Sequence, residues 1–566
     1  MKSKVVILVI AGILSSCSAL NRMSRNSKGI NYRSTPELLE AKGNMVAVRI
    51  EVNFPPKYFH PGVVVEATPV LVFEGGSKAF PAKILQGEKV LGNNTVIPYE
   101  EGKTVIYTGS VPYEDAMRIS DLEIHLNGYK GKKAKVFASV KIGRGVLATA
   151  TLLDTDARMA LGKDKFERIT KENKEAQILY KINSAVIPSK TGSSADMNSM
   201  RAFIKKMAKE ENVELKNIEV RSYASPDGKY AFNDRLANNR SLSSRIFLKE
   251  KLNRDKVKKH KEAGFWKEYV VAEDWEGLKK ALETSDIRDK DLIIRVLSMH
   301  DDPEVREREI RNLASVFSVL SEEILPKLRR SHFVVNAERI GKSDEEIVSL
   351  AIMDPDKLNK EELLYAATFF DETAPKISIY RAVTRKSPED WRGYNDLGIA
   401  LFEEEKIEEA VENFNKAAKL NSSSKEVYNN LGAIALYKGN IEEAGAFFGA
   451  ATGIPEADYN KGIVAVFTGN YEEALSYLKE PSANAVLLRI LKGDIGKAKE
   501  LSKKVDEDDF TYYLKAVIGS RENNINIVLE NLKKAFEINP ALKSMAITDR
   551  EFEKYFENTA FKSITC

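Results

Sequence analysis

The feature that most restricts the fold is a repetition with a fixed spacing of 34 residues in the last third of the chain. Its members share the same offsets and are Leu397-Gly398, Ala410, Phe414 and Ala417, then Leu431-Gly432, Ala444, Phe448 and Ala451. A unit of this length holds two short helices, and its small residues mark where they approach closely. One such unit cannot bury its apolar face alone, so the pattern predicts stacked helix pairs, an α-solenoid.

These residues resemble the tetratricopeptide repeat. Shortened continuations occur at 470–474 and 493–498, Ala535 and Pro540 fit the end of a last repeat, and 358–385 is typical of a degenerate capping pair. The resemblance implies a solenoid over 345–566 with four or five helix pairs. Such arrays bind a protein partner in their concave face. The alternative is a spacer that only stacks on the rest of the chain.

The first sixteen residues have the composition of an export signal. Lys2 and Lys4 precede a short apolar run at 5–14, and Leu14-Ser15-Ser16 lead to Cys17. This order resembles the lipobox of bacterial lipoproteins, which implies a signal peptide at 1–16 and acylation of Cys17. The alternative is an ordinary signal peptide. The resemblance predicts that the chain is anchored to the outer membrane by lipid and does not span it.

Residues 17–40 are predicted to be the lipidated cysteine and a flexible tether, because 18–34 carry four basic residues and no acidic one. Surface-exported lipoproteins of the Bacteroidota, which this architecture resembles, carry an acidic signal just after the cysteine. Its absence here favours the periplasmic side of the outer membrane.

Strict alternation of apolar and polar residues predicts six or seven short strands between 41 and 155. The clearest run is Val46–Phe54, and turn signals separate the runs at Gly75-Gly76, Asn93-Asn94 and Asn127-Gly128. This pattern indicates an antiparallel β-sandwich. We interpret it as an interaction module, with a plain spacer as the alternative.

The stretch 218–248 combines an alternating strand, a turn at Ser225-Pro226-Asp227-Gly228 and a helix. The helix carries Asn233, Leu236 and Arg240 in the order N-x-x-L-x-x-x-R. This arrangement resembles the C-terminal, peptidoglycan-binding domain of the OmpA family. The resemblance implies an α/β domain over 170–340, with a first strand at 177–187, a last strand at 331–336 and a helical insertion at about 253–330.

The same resemblance implies a pocket for the diaminopimelate of the cell-wall stem peptide, formed in part by Asn233 and Arg240. The family's acidic residue falls on Ser225, and Asp227 is the nearest carboxylate. We therefore predict Asn233, Arg240 and Asp227 as peptidoglycan-binding residues. The alternative is that Arg240 pairs with Asp227 or Glu219 and holds the loop to the helix.

Composition and motifs argue against catalysis. The net charge of +4 on 566 residues is too small to indicate nucleic acid as a partner. The five histidines have no metal-ligand spacing, and the two cysteines, Cys17 and Cys566, give no disulfide framework. Phosphate-binding, nucleophile-elbow and zinc-protease motifs are missing from the sequence. We expect no enzyme activity, no cofactor and no metal.

Together these features predict a lipoprotein of the outer membrane that faces the periplasm. It would link the membrane, the cell wall through peptidoglycan, and a protein partner on the repeats. The alternative is a scaffold that does not bind peptidoglycan and serves an outer-membrane assembly or secretion complex.

Overall fold

The computed structural model describes residues 19–287, 290–300, 302–312 and 318–565. The chain forms two compact units. The first unit joins the described residues up to Lys163 with those from Glu372 onward, and the second unit is Asp164–Asp371. The second unit is therefore inserted, in sequence, between two segments of the first.

The N-terminal part of the first unit is a pair of β-sheets. In one sheet the strand order is β1-β3-β2-β12, and β8 also pairs with β3 over its whole length. In the other sheet the order is β10-β9-β4-β6-β7, and β11 also pairs with β9 and β5 with β4. The pairs β2·β12 and β6·β7 are parallel and the others antiparallel. The strands are β1 Asn31–Ser34, β2 Leu39–Lys42, β3 Met45–Phe54, β4 Val64–Phe73, β5 Gly76–Ala79, β6 Lys83–Gly87, β7 Thr95–Ile97, β8 Lys103–Pro112, β9 Ser120–Lys130, β10 Lys133–Val136, β11 Val140–Arg144 and β12 Val146–Leu147.

The two sheets share one core, because each long strand turns its alternate apolar residues inward. In β3 the inward residues include Val46, Val48 and Ile50, and in β9 they include Leu122 and Ile124. The alternation in the sequence therefore predicts the long strands and the face that each buries. The predicted number is too low, because the structure has ten strands, β3 to β12, where six or seven were expected.

The prediction of a flexible tether over 17–40 is wrong for the residues that the structure describes. Residues 19–25 form a helix, α1, and Leu20 and Met23 belong to the core of the β-sheets. These two side chains lie three positions apart and so share one face of the helix. The Tyr58 hydroxyl donates to the carbonyl oxygen of Met23 at 3.1 Å. The basic residues that suggested a tether occupy the outer face of a docked segment.

The C-terminal part of the first unit is an α-solenoid, which confirms the predicted tetratricopeptide repeats. Consecutive helices are the first and second members of successive pairs, and short helices follow the last pair at the C-terminal end. The helices are Thr373–Lys386, Trp391–Glu403, Ile407–Leu420, Lys425–Tyr437, Ile441–Ala450, Pro455–Phe467, Tyr471–Tyr477, Ala483–Leu491, Ile495–Ser502, Asp509–Arg521, Ile525–Ile538, Leu542–Ala546 and Thr559–Thr565.

Glycine allows the paired helices to touch where the 34-residue pattern predicts it. A β-carbon on Gly398 would lie 2.7 Å from the ring of Phe414, and one on Gly432 would lie 2.6 Å from the ring of Phe448. Both distances are far below van der Waals contact, so the ring of the second helix takes the space that a side chain would occupy.

The β-sheets are fixed to the solenoid by specific contacts at two places. At the β2–β3 turn, Asn44 N–H donates to the Phe467 carbonyl at 3.1 Å, and Gly43 N–H donates to the Tyr471 hydroxyl at 3.1 Å. At the C-terminal end of the solenoid, Arg550 Nε donates to the Arg118 carbonyl at 3.0 Å. The first of these contacts uses the end of a helix, where carbonyl groups lack intrahelical partners.

The second unit contains a four-stranded sheet in the order β13-β16-β14-β15, in which β14 and β15 are parallel and the other pairs antiparallel. Its strands are β13 Ile169–Leu179, β14 Val213–Tyr223, β15 Trp266–Val271 and β16 Arg330–Ile340. Its helices are Ala195–Met207, Tyr230–Arg254, Trp275–Glu283, Lys290–Ser298, Pro303–Asn312, Leu325–Leu328, Asp344–Met353 and Lys360–Ala367.

Two predictions for this unit need correction. The first strand ends at Leu179, so the apolar residues at 182–187 lie in the loop that follows. The insertion at 253–330 is not purely helical, because it contains β15, an edge strand. The predicted last strand at 331–336 is present and extends over Arg330–Ile340. Within the described part of the insertion, Leu278, Leu282 and Ile293 pack in a small core of their own.

Candidate functional site

Arg240, the predicted cation of the peptidoglycan pocket, is fully buried. Its guanidinium donates to the carbonyl oxygens of Tyr223 at 2.8 Å, Ser184 at 3.0 Å and Lys181 at 3.3 Å. It also stacks on the Tyr180 ring at 5.1 Å. Burial lowers the pKa of Arg240 to about 10, so the group stays charged at neutral pH. Its visible role is to tie the end of β14 and the loop after β13 to one helix.

Asn233 and Asp227 stabilise the turn that follows β14. The Asn233 amide donates to the carbonyl oxygens of Gly228 at 2.9 Å and Ser225 at 3.1 Å. Asp227 accepts from the Ser225 hydroxyl at 2.5 Å and pairs with Arg329 at 3.1 Å. The three predicted residues thus surround one turn, and their described contacts are with the protein itself. Peptidoglycan binding by these residues stays a prediction. Cys17, the predicted lipidation site, lies outside the described residues.

A second cluster, which the sequence analysis missed, lies in the solenoid of the first unit. The segment 153–163, here called the groove segment, runs extended across the first helices of successive pairs. Five asparagines on those helices contact it, and all five are fully buried. They are Asn395, Asn429, Asn430, Asn460 and Asn484.

Three of these asparagines bind both polar groups of a single main-chain residue. Asn430 accepts from the N–H of Ala160 at 2.8 Å and donates to its carbonyl at 2.9 Å. Asn460 does the same with Arg158, at 2.8 and 2.9 Å. Asn484 repeats the pattern with Asp154, at 3.0 and 2.8 Å. An amide side chain suits this task because it presents one donor and one acceptor side by side.

Asn395 and Asn429 add second donors to the same carbonyls. Asn395 donates to the Ala160 carbonyl at 2.9 Å, and Asn429 donates to the Arg158 carbonyl at 2.8 Å. The bound residues 154, 158 and 160 are all even-numbered, as expected for one edge of an extended chain whose alternate residues face the same side. We call these five asparagines and their hydrogen bonds the ladder. The ladder binds main-chain N–H and carbonyl groups, so these hydrogen bonds do not depend on which side chains the segment carries.

Side chains of the groove segment add shape to this recognition. Ala160 is buried, and the Arg158 guanidinium stacks on the Tyr459 ring at 3.8 Å. A β-carbon on Gly162 would lie 2.7 Å from Cγ of Arg392, so only glycine fits there without a shift. Leu153 packs against the apolar clusters of the solenoid. The segment is thus bound along its length by polar and apolar contacts.

Asp396 stands at the same repeat position as Asn430, but it binds the groove segment with a carboxylate and not with an amide. Its Oδ1 accepts from the N–H of Gly162 at 2.7 Å and from Asn395 Nδ2 at 2.9 Å. Burial raises the pKa of Asp396 from 3.8 to about 7, and the nearby Arg392 opposes this rise. Asp396 is therefore a titratable group in direct contact with the ladder.

A signal for the ladder is present in the sequence. Asn395-Asp396 and Asn429-Asn430 stand 34 residues apart, at the same position of the repeat. Asparagine and aspartate are unfavourable inside helices because they compete for main-chain hydrogen bonds. Their repetition at an interior helical position indicates a ligand for their side chains. The groove segment itself has no such signal.

Features of other site types are missing from the described residues. Among them, His, Cys, Asp and Glu side chains nowhere gather in threes as a metal would require. Within the same ranges, no helix combines the length and the apolar character needed to cross a membrane.

Two family models of the tetratricopeptide repeat match the chain, at residues 398–439 and 425–458. No curated protein sequence matches it as a relative. Among solved structures, Pseudomonas aeruginosa PilF is 14% identical, with a TM-score of 0.29 over 38% of this chain and 99% of its own. A tetratricopeptide repeat protein from Parabacteroides merdae is also 14% identical, with a TM-score of 0.29 over 37% of this chain and 91% of its own.

Proposed function

We propose that this protein is a non-enzymatic scaffold whose solenoid clamps a segment of its own chain. Tetratricopeptide repeats serve protein–protein interaction, and their concave face is the usual binding surface. Here the observation that carries the proposal is the bidentate ladder from Asn430, Asn460 and Asn484 to the groove segment. The ladder helps to hold the β-sheets and the solenoid in one compact unit and leaves the partner to bind other surfaces of the repeats.

Binding of the groove segment is favoured over binding of a separate peptide, because the groove segment belongs to the same chain. A tethered segment has an effective concentration on the order of millimolar, so a free peptide must exceed that value to compete. The groove segment is joined to folded parts at both ends, because a 3-10 helix at Thr149–Leu152 precedes it and β13 begins at Ile169, shortly after it. The concave face is therefore reserved for an internal ligand.

A labelled peptide of residues 152–164 tests the clamp. We expect no binding to the wild-type protein at micromolar peptide concentrations. A variant with Asp154→Pro, Arg158→Pro and Ala160→Pro lacks the N–H groups that the ladder binds, so its groove should bind the peptide. Adding Asn430→Ala and Asn460→Ala should abolish this binding. Circular dichroism verifies that the variants keep their helices. Equal binding by the wild type and the triple-proline variant would show that the groove is open and would refute the clamp.

We further propose that the scaffold is attached to the outer membrane through acylated Cys17 and faces the periplasm. The support is the lipobox order at Leu14-Ser15-Ser16-Cys17. Metabolic labelling with palmitate should mark the wild type and not Cys17→Ala, which should leave the membrane fraction. Palmitate on the Cys17→Ala protein would contradict the anchor.

For the second unit we favour the scaffold over peptidoglycan binding. The supporting observation is that Arg240 is fully buried and donates to three main-chain carbonyls. A pocket for diaminopimelate needs a guanidinium that can reach a ligand carboxylate. We expect the wild-type protein to stay in the supernatant when purified peptidoglycan is sedimented at low salt. Sedimentation with peptidoglycan that is lost in Asp227→Asn would restore the binding hypothesis.

A further inference from the structure

The surface around α1 (residues 19–25) is strongly basic. Lys135 Nζ donates to Asn21 Oδ1 of this helix at 2.5 Å, and Arg22 lies over the Tyr99 ring at 5.9 Å. The main-chain N–H of His60 contacts Met23 Sδ at 3.5 Å, and Lys130 Nζ lies 3.5 Å from His60 Nε2. The turn between β9 and β10, the loop between β3 and β4 and the loop after β7 therefore lie beside α1.

We call this surface the α1 face. Its cations are Arg22, Arg25, Lys57, Lys89, Lys130, Lys132, Lys133 and Lys135, and the acids beside them are Glu66, Glu88, Glu100 and Glu101. Eight cations face four carboxylates, although the whole chain has a net charge of only +4. The pKa of His60 is lowered by burial and then by the positive charges of Lys130, Arg22 and Lys89. The positive charge is therefore concentrated at this face.

The α1 face is also where the proposed lipid anchor is attached. Ala19 and Leu20 are already buried in the β-sheet domain, so only two peptide units separate the packed chain from Cys17. Two residues span about 7 Å at most. An acyl chain on Cys17 would consequently hold the start of α1 within about one screening length of the lipid headgroups at physiological salt.

Two large apolar side chains near the α1 face are exposed. Leu91 is 100% exposed in the loop that carries Lys89, whereas Val136, which is 75% exposed, follows Lys135 in β10 and so points to the opposite face of that strand. An apolar side chain among cations, as at Leu91, is typical of surfaces that lie in the headgroup region of a bilayer.

We propose that the α1 face is a docking surface for an anionic phospholipid bilayer. Cationic side chains near such a surface each strengthen binding, and lipid anchors are stabilised by a polybasic patch. The face would orient the first unit on the membrane, with the β-sheets against the lipid. The orientation rests on the proposed anchor at Cys17, but the affinity for lipid does not, because it belongs to side chains of the folded domain.

Vesicle co-sedimentation separates the two ideas. The protein lacking residues 1–16 and carrying Cys17→Ser has no acyl chain, so the fate of the anchor does not affect the result. We expect this protein to bind phosphatidylcholine vesicles that contain phosphatidylglycerol, to bind pure phosphatidylcholine at least tenfold more weakly, and to be released by high salt. Equal binding to both vesicle types, or no binding to either, would overturn the proposal.

The surface is tested by Arg25→Glu, Lys89→Glu and Lys132→Glu in one protein, since all three side chains are exposed. This variant should lose at least tenfold in affinity for the anionic vesicles. The matched control is Lys497→Glu, Lys503→Glu and Lys504→Glu, which makes the same change of charge on exposed residues of the solenoid. Equal losses in the two variants would show a general charge effect and refute a specific surface. Binding of double-stranded DNA as tight as that of the vesicles would likewise refute a membrane surface.

Discussion

Asn460 binds both the N–H and the carbonyl of Arg158, a residue 302 positions earlier in the chain. Asn430 and Ala160 are related in the same way across 270 positions. These contacts unite the β-sheets and the solenoid into one unit, and they can be tested one side chain at a time.

Asn430→Ala removes both hydrogen bonds to Ala160 and leaves its buried N–H without that acceptor. Burying an unsatisfied polar group costs about 1–3 kcal/mol, so we expect the free energy of unfolding to fall by about 2 kcal/mol. Chemical denaturation measures the change. Asn413→Ala is the control, because Asn413 is only half-buried and its amide donates to the Glu409 carbonyl of its own helix. If both variants unfold alike, the ladder does not contribute to stability.

Gly432→Leu should force the two helices of its pair apart, because even a β-carbon would lie 2.6 Å from the Phe448 ring. Overpacking of this kind costs about 2 kcal/mol. The control is Gly449→Leu, since the space around Gly449 is open. A melting temperature of Gly432→Leu equal to that of Gly449→Leu would contradict the tight crossing.

Arg240→Ala should destabilise the second unit on the order of 3 kcal/mol, because three carbonyls lose a charged donor and a cavity forms. Arg245→Ala, on the same helix, removes an exposed pair with Glu268 and should change the free energy by less than about 0.5 kcal/mol. Thermal unfolding of both variants distinguishes the two roles. A ligand-binding Arg240 would instead leave the melting temperature nearly unchanged.

Asp396 predicts a specific pH dependence. The folded protein holds its proton up to about pH 7, whereas the unfolded chain releases it near the ordinary value of 3.8. The folded state therefore binds more protons between these values, and stability must fall as the pH rises through this window and level off above it. Three pKa units correspond to about 4 kcal/mol at most.

Asp396→Asn isolates this effect from the other carboxylates. The new side chain can accept from Gly162 N–H as Asn430 accepts from Ala160, without carrying a charge. We expect the variant to be more stable than the wild type at pH 8 and equal to it near pH 4. Denaturation at both pH values measures the difference. A difference that does not vary with pH would contradict a raised pKa.

The regular parts of this fold could be predicted from sequence because they repeat. The spacing of Gly398 and Gly432 indicates the solenoid, and the alternation from Val46 to Phe54 indicates a buried strand face. The tether prediction was wrong because it relied on the basic residues and took no account of Leu20 and Met23. Two apolar residues are too few to indicate a helix by their spacing alone.

Binding of the groove segment to the solenoid could not be predicted from sequence patterns, for a different reason. The segment 153–163 has neither an apolar period nor turn signals. Its conformation is imposed by side chains about 230 to 330 positions away in the chain. Likewise, the N-x-x-L-x-x-x-R pattern gives the helix that carries Arg240, but the depth at which the guanidinium is buried depends on three carbonyls from two other loops.

The order in which the chain is synthesised gives the groove segment a further consequence. Its residues leave the ribosome before any helix of the solenoid exists, and the separations run from 234 positions for Gly162 and Asp396 to 330 for Asp154 and Asn484. The second unit, which lies between them in sequence, has time to fold first as a domain of its own. The groove segment then stays exposed to solvent until the last repeats have been synthesised. Completion of the C-terminus is thus what closes the N-terminal half, so a chain truncated within the repeats would leave both halves of the first unit unfinished.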